Sequence, residues 1–253
     1  MPKLRLDKLL VERGLVPSRE RAQAMILAGR VLVNGQKLEK SGASVDADAD
    51  VRLLGQDLKY VSRGGLKLEA ALKHWGINLT GRTCMDVGAS TGGFTDCMLQ
   101  HGATEVVAVD TGYGQIAAKL RSDPRVKLLE KTNARYLTAE QLQKAGSVSN
   151  ISFIALDVSF ISVTLVLPAV FQAAFAFSYS SVREMIVLVK PQFEAGREWV
   201  GKGGIVKDEQ AQQRAIHKVR SAVEKLKGHK LEVIESPILG MEGNKEFLLY
   251  ARF

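Results

Sequence analysis

Beyond residue 83 the chain alternates short apolar runs with stretches whose apolar positions recur every three or four residues. The apolar runs predict strands at 84–87, 105–109, 126–129, 151–156, 185–190, 231–235 and 247–252, with helices between most of them. Alternation of this kind predicts an α/β fold: an open, mostly parallel sheet covered by helices on both faces. In such sheets ligands sit at the carboxyl ends of the strands.

The first sixty residues follow a different rhythm. RLDKLLVERGL sets Leu6, Leu9, Leu10 and Leu15 near helical spacing with Gly14 as a stop, and Ser18 can cap a second helix that Gly29 ends. Asn34-Gly35 reads as a tight turn between two short strand-like runs, and SVDADADVRLL adds a polar loop and a strand. A small α+β unit over 1–58 and an α/β unit over 59–253 are expected, linked by the glycine-rich, polar segment 55–65.

Charge adds a partner to this picture. The 253 residues carry a formal charge of +8, and over residues 1–40 nine Lys or Arg stand against four Asp or Glu. Arg5, Lys8, Arg19 and Arg21 fall off the apolar face of the two helices. An excess of this kind favours an anionic partner, nucleic acid before membrane. Cys84 and Cys97 lie in apolar or helical runs without metal-type spacing, so no metal site is expected and both read as buried, reduced thiols of a cytoplasmic protein. The start MPKLRLDKLL lacks the apolar core of a signal peptide. Residues 158–182 carry no charge and are long enough to span a bilayer. Pro168, Gln172, many hydroxyl side chains and flanking strand patterns favour a crossover helix there, and no stable membrane insertion is expected.

DVGASTGGFTDCML, residues 86–99, joins the first strand of the sheet to a helix. Gly88, Gly92 and Gly93, with Ser90 among them, let the backbone turn and approach a ligand without a Cβ in the way. The spacing G-x-x-x-G-G departs from the dinucleotide fingerprint. Asp86 at the strand end would repel a pyrophosphate yet attract an amino group, which points to the methionine end of S-adenosylmethionine. Asp110 ends the next strand, where an acidic residue meets ribose hydroxyls, and Asn133 follows the third, where an adenine edge could be met. Asp157 and Lys190 end the fourth and fifth strands. Glu246 opens the last, and Lys67 lies in the helical run GGLKLEAALKHW.

RLD at 5–7, SR at 18–19, AGRVLVNG at 28–35 and the later VRLL resemble the alpha-L RNA-binding motif. That likeness implies RNA contact through basic side chains of the two helices and the turn after them, Arg5, Lys8, Arg19, Arg21 and Arg30. SRGGLKLEAAL, MDVGASTGGFTDC, ALDVSFISV, LVKPQFE and GNKEFLL extend the resemblance over nearly the whole chain, to the TlyA family of rRNA 2′-O-methyltransferases, often labelled hemolysins, with an FtsJ-like catalytic domain. The resemblance implies a Rossmann-like class I methyltransferase sheet behind a small α+β alpha-L domain. It also implies methyl transfer from S-adenosylmethionine to a ribose 2′-hydroxyl, of a cytidine, in ribosomal RNA or ribosomal subunits. The family's Lys-Asp-Lys-Glu tetrad falls on Lys67, Asp157, Lys190 and Glu246, with Glu235 and Glu242 close enough to contest the last place. Lys190 could take the hydroxyl's proton or orient its oxygen, with Lys67 as second cation and the two carboxylates orienting the ammonium groups. Carbon-5 methylation fits worse, since both cysteines belong to the cofactor half of the sheet. So does amino methylation, for which Phe160 in DVSF is only a partial match to an aromatic clamp. A membrane-active hemolysin and an RNA-binding module without catalysis are the other readings.

Overall fold

The computed structural model describes residues 3–54, 59–146, 150–175, 179–240 and 243–253. The chain divides into two units, residues 1–57 and 58–253. In the first, β1 (Lys3–Arg5) runs directly into α1 (Leu6–Glu12). There follow α2 (Arg19–Leu27), β2 (Val31–Val33), β3 (Gln36–Lys37), β4 (Ser44–Asp46) and β5 (Val51–Leu53). Ser18 caps α2 by accepting from Arg21 N. Asn34 and Gly35 turn with φ of 51° and 79°, the doubly positive pair that matches strand twist in a two-residue hairpin, and β2 pairs with β3 on one side and β5 on the other. β1 and β4 form a ladder of their own where the pattern predicted a helical run from Arg5 and a polar loop from Ser44, because three residues are too few for alternation to register. Leu6, Leu9, Leu10, Met25, Ile26 and Val31 close the core of this unit.

The second unit contains α3 (Gly64–Trp75), β6 (Thr83–Val87), α4 (Gly93–Gln100), β7 (Glu105–Val109), α5 (Ala118–Arg121), β8 (Val126–Leu129), α6 (Ala139–Lys144), β9 (Ile151–Leu156) and α7 (Leu167–Phe175). β10 (Glu184–Val189), α8 (Pro191–Glu194), α9 (Glu209–Lys225), β11 (His229–Glu235) and β12 (Phe247–Arg252) complete it. All seven predicted strands are present, in the order β11-β12-β10-β9-β6-β7-β8, parallel but for β12. Period-two alternation splits the core in two. Met85, Val107, Ile154, Val187 and Leu249 face the side covered by α7 and α9. Cys84, Val106, Phe153, Ile186 and Leu248 face the side covered by α3 and α4. β9 and β10 are buried at all six positions, as central parallel strands must be, each large side chain there stabilising the fold by roughly 1.5–3 kcal/mol.

The uncharged stretch 158–182 holds α7, whose Leu167, Val170, Ala173 and Ala174 are buried; its residues 176–178 lie outside those described. Among the described residues no helix is long and apolar enough to cross a membrane. Of the segment 55–65 expected as a linker, residues 55–58 lie outside those described. Tyr60 is buried, and Gly64-Gly65 already open α3. A Cβ at Gly65 would fall 2.3 Å from the Tyr60 ring, so that glycine serves packing.

Candidate active site

Strand register gathers the candidate residues at one edge of the sheet. Val87 pairs with Val109 and Leu156, so Gly88, Asp110 and Asp157 each follow directly on the last rung. Across the sheet Val189 pairs with Phe247, and Lys190 and Glu246 flank that rung.

The glycine loop leaves β6 with φ of +87° at Gly88, +49° at Ser90 and +94° at Gly92, which caps α4. Protein fills the space above its glycines. A Cβ would lie 2.4 Å from the Asp157 carbonyl oxygen at Gly88, 2.3 Å from Leu120 Cδ1 at Gly92 and 2.2 Å from Ser62 Oγ at Gly93. The absent Cβ atoms therefore serve packing within the protein, where the sequence suggested clearance for a ligand. Through Gly88 the end of β9, and with it Asp157, closes on the loop.

Asp86 lies on the α3–α4 face and is fully buried. Its Oδ2 accepts from Thr95 N at 2.8 Å and Thr95 Oγ1 at 2.6 Å, while Oδ1 has no partner. Burial pushes this carboxyl up to about 7; the Thr95 bonds oppose the rise, and the Asp157 and Asp110 charges add to it. A buried acid with an orphaned oxygen beside a glycine loop fits a site that takes a cationic group, and the S-adenosylmethionine amino group is one. Asp110 accepts from Ser90 N at 2.8 Å and Gly112 N at 2.6 Å, so it also ties the glycine loop to the loop after β7. The cleft here, lined by Ala89, Ser90, Asp110, Gly112 and Ile116, measures about 10 Å³. Small-molecule sites run to roughly 300–1,000 Å³, so the cleft is closed in this structure. Asn133 is exposed; its Oδ1 accepts from Arg135 N at 3.0 Å and caps the turn 134–136.

The four tetrad candidates form two ion pairs. Lys67 Nζ meets Glu246 Oε2 at 2.5 Å, both buried. Gly240 leaves room for that carboxylate, since a Cβ there would be 2.5 Å from Oε1. Lys190 Nζ lies 2.6 Å from Asp157 Oδ1, off the line of a hydrogen bond, and donates to Ser159 Oγ at 2.7 Å. Of the rival glutamates, Glu235 is exposed and pairs with Lys245 at 3.6 Å, and Glu242 lies outside the described residues.

Ser159 and Glu194 went unassigned in the sequence, and Phe160 reads there only as a partial aromatic clamp. Ser159 holds Lys190. Phe160 is 93% exposed with φ +65°, a conformation a bulky side chain rarely takes, its ring 5.6 Å from Phe193. Glu194, buried, accepts from Val163 N at 2.6 Å and Ser162 Oγ at 2.5 Å and forms an ion pair with Lys218 Nζ at 3.1 Å, tethering the loop after β9 to α8. A signal for α8 was present: Pro191 sits at the first helical position, where proline is favoured. Both cysteines are buried and free, and burial pushes their thiols up to about 12. In the N-terminal unit Lys8 and Arg30 are exposed and Arg21 half-buried, while Arg5 and Arg19 both pair with the buried Asp7.

Residues 60–253 match the FtsJ-like methyltransferase family and residues 4–51 the S4 domain. Over 249 residues the chain is 43% identical to the 16S/23S rRNA (cytidine-2′-O)-methyltransferase TlyA of Mycobacterium tuberculosis, covering 98% of this chain and 89% of that protein. The chain belongs to the TlyA family. A second relative, YqxC of Bacillus subtilis, described as an rRNA methyltransferase, is 46% identical over 249 residues, 98% of this chain and 85% of that one. The solved structure of a Streptococcus thermophilus protein described as a hemolysin superimposes with a TM-score of 0.72 at 40% identity, covering 100% of this chain and 89% of that one. The TlyA fold is thus a seven-stranded methyltransferase sheet with an S4 domain in front of it in the chain.

Proposed function

We propose that the protein transfers a methyl group from S-adenosylmethionine to a ribose 2′-hydroxyl, of a cytidine, in ribosomal RNA. The observation that carries this reading is the pair of lysine–carboxylate contacts, Lys190–Asp157 and Lys67–Glu246, at the same strand edge as the glycine loop and the orphaned Asp86 oxygen. S-adenosylmethionine, when bound, supplies an electrophilic methyl group. Asp86, Asp110 and Asn133 are assigned to its amino group, ribose and adenine, with Gly88, Ser90, Gly92 and Gly93 shaping the loop between.

A ribose hydroxyl is a poor nucleophile until its proton is held or removed. Lys190 Nζ is assigned to the 2′-oxygen: as an ammonium it donates a hydrogen bond that orients a lone pair, and as an amine it takes the proton. Asp157 and Ser159 fix Nζ, so it approaches the oxygen from one direction. Lys67, held by Glu246, is the second cation and stabilises negative charge growing on that oxygen. The exposed ring of Phe160 offers a face on which the acceptor base stacks once it has left its helix. The basic N-terminal unit, 1–58, recruits ribosomal RNA or a ribosomal subunit through phosphate contacts that position the enzyme without reading sequence. The cytoplasm is where such a substrate is made.

Mass spectrometry of ribosomal RNA from cells with and without the gene should differ by a methyl group on a cytidine ribose. Lys190→Ala should lower kcat at least a hundredfold while cofactor affinity is retained. Activity in Lys190→Arg would leave the orienting role and remove the base, since guanidinium stays charged. A methyl group found on a base, or Lys190→Ala activity within about threefold of wild type, under ~1 kcal/mol of barrier, would overturn the reading.

A further inference from the structure

The methyl-transfer chemistry leaves one buried carboxylate of the N-terminal unit unused. Asp7, in the first turn of α1, is fully buried, and four donors converge on it. Arg5 gives Nε at 3.1 Å and Nη2 at 2.9 Å, Arg19 gives Nε at 3.0 Å, and Gln23 gives Nε2 at 3.0 Å. Three of these bonds, from Arg5 Nη2, Arg19 and Gln23, meet on Oδ2, and the fourth, from Arg5 Nε, goes to Oδ1. The Arg5 contact, with help from Gln23 and Arg19, holds this carboxyl well below the usual range.

The donors come from two elements: Arg5 from β1, Arg19 and Gln23 from α2. Both arginine side chains nonetheless remain nearly half exposed, at 47% each. Arg5 is confined further by the chain beneath it, for a Cβ at Gly42 would lie 3.1 Å from its Nη1. Arg19 spends only Nε on Asp7, and its two terminal nitrogens carry no hydrogen bond among the described residues. A single carboxylate thus fixes two arginines side by side and leaves part of each fork facing solvent.

We propose that Asp7 is a positioning residue that presets Arg5 and Arg19 as one rigid two-guanidinium site for neighbouring phosphodiesters of a folded RNA. The inference rests on the RNA-recruiting role of this unit and deepens it. Long basic side chains lose rotamer freedom when they bind, and a lock made during folding removes that loss from the binding step. The planar fork then meets phosphate oxygens in a set geometry, which a loose cation does not.

Charge alone predicts the opposite sign, which makes the inference testable. Asp7→Asn raises the net charge by one, so an electrostatic role for the arginines would give tighter RNA binding. Preset geometry requires weaker binding. Affinities of the full-length protein would be measured for small and large ribosomal subunits from cells lacking the gene, with retention on heparin as a featureless polyanion. The expected result is at least tenfold weaker subunit binding by Asp7→Asn, with heparin retention kept or increased and cofactor affinity unchanged. Arg5→Lys keeps charge, loses the two-pronged lock, and should weaken subunit binding about as much; it decides the matter if Asp7→Asn does not fold. If Arg5→Ala/Arg19→Ala binds subunits like wild type, the RNA-recruiting reading itself fails. If that double variant loses binding while Asp7→Asn or Arg5→Lys binds as well as wild type or better, the preset site is overturned and recruitment stands.

Discussion

Replacing Asp86 by asparagine should change how the protein responds to pH. The carboxyl is fully buried, has one unpartnered oxygen, and titrates near 7 where an ordinary aspartate titrates at 3.8. The folded protein therefore binds a proton at Asp86 between pH 4 and 7 that the unfolded chain has released. Stability from this group is fully present below the unfolded value and is lost as pH rises through the folded one. At 1.36 kcal/mol per pH unit the loss amounts to about 4 kcal/mol at most by pH 8. Asparagine resembles the protonated acid, keeps an acceptor for the two Thr95 bonds, and cannot ionise. Urea denaturation at intervals from pH 5 to 8 would follow both proteins. The wild type should lose stability relative to Asp86→Asn as pH rises, which cancels groups common to both and any constant cost of the amide. A cation bound beside Asp86 favours the carboxylate, so S-adenosylmethionine binding should release a proton. Wild-type affinity should weaken by up to about tenfold per pH unit below 7, and Asp86→Asn should bind weakly without that dependence. Parallel stability curves for the two proteins, or cofactor affinity independent of pH in the wild type, would refute the reasoning.

Three other substitutions probe the loops around the edge. Glu194→Gln should weaken the tether on Ser162 and Val163, lowering kcat by about a hundredfold if the loop that carries Ser159 shifts by 1 Å, with cofactor affinity unchanged by calorimetry. Phe160→Ala should leave thermal stability within about 0.5 kcal/mol, since the ring is exposed. It should raise KM for subunits by the roughly 1–3 kcal/mol that base stacking is worth. Gly93→Ala should destabilise by ~1–3 kcal/mol in urea denaturation, because the new Cβ meets Ser62 Oγ at 2.2 Å and Gly65 N at 3.0 Å. Adding Ser62→Ala should restore only part of that, since backbone cannot yield as a hydroxyl can.

How much of this was legible depended on whether a signal was local. The strands of the sheet were plain because β9 and β10 bury both faces and read as unbroken apolar runs. The Ser18 cap and the Asn34-Gly35 turn were plain because each is decided within four residues. β1 and β4 were hidden, since the register that makes three residues a strand comes from a distant partner, Leu4 pairing with Val45. The glycines show the limit best. G-x-x-x-G-G reads as room for a ligand, but whether an absent Cβ faces a ligand or a neighbour depends on what the fold brings beside it. For Gly88 that neighbour is the backbone of Asp157, and for Gly93 it is Ser62. The same holds for charge. A count of basic residues over 1–40 marks a surface that attracts anions, yet it weighs Arg5 and Asp7 only as opposite signs that cancel. In the fold the buried acid fixes the base at its surface, so the two act together. The tetrad shows the same coupling. Glu246 stood among three glutamates of similar local context, and what separates it is a lysine 179 positions earlier, brought within 2.5 Å by the packing of α3 beside β12. A carboxylate that is buried needs such a partner. Burial of both members is thus the physical criterion that favours Glu246 over the exposed Glu235, and only tertiary structure supplies it.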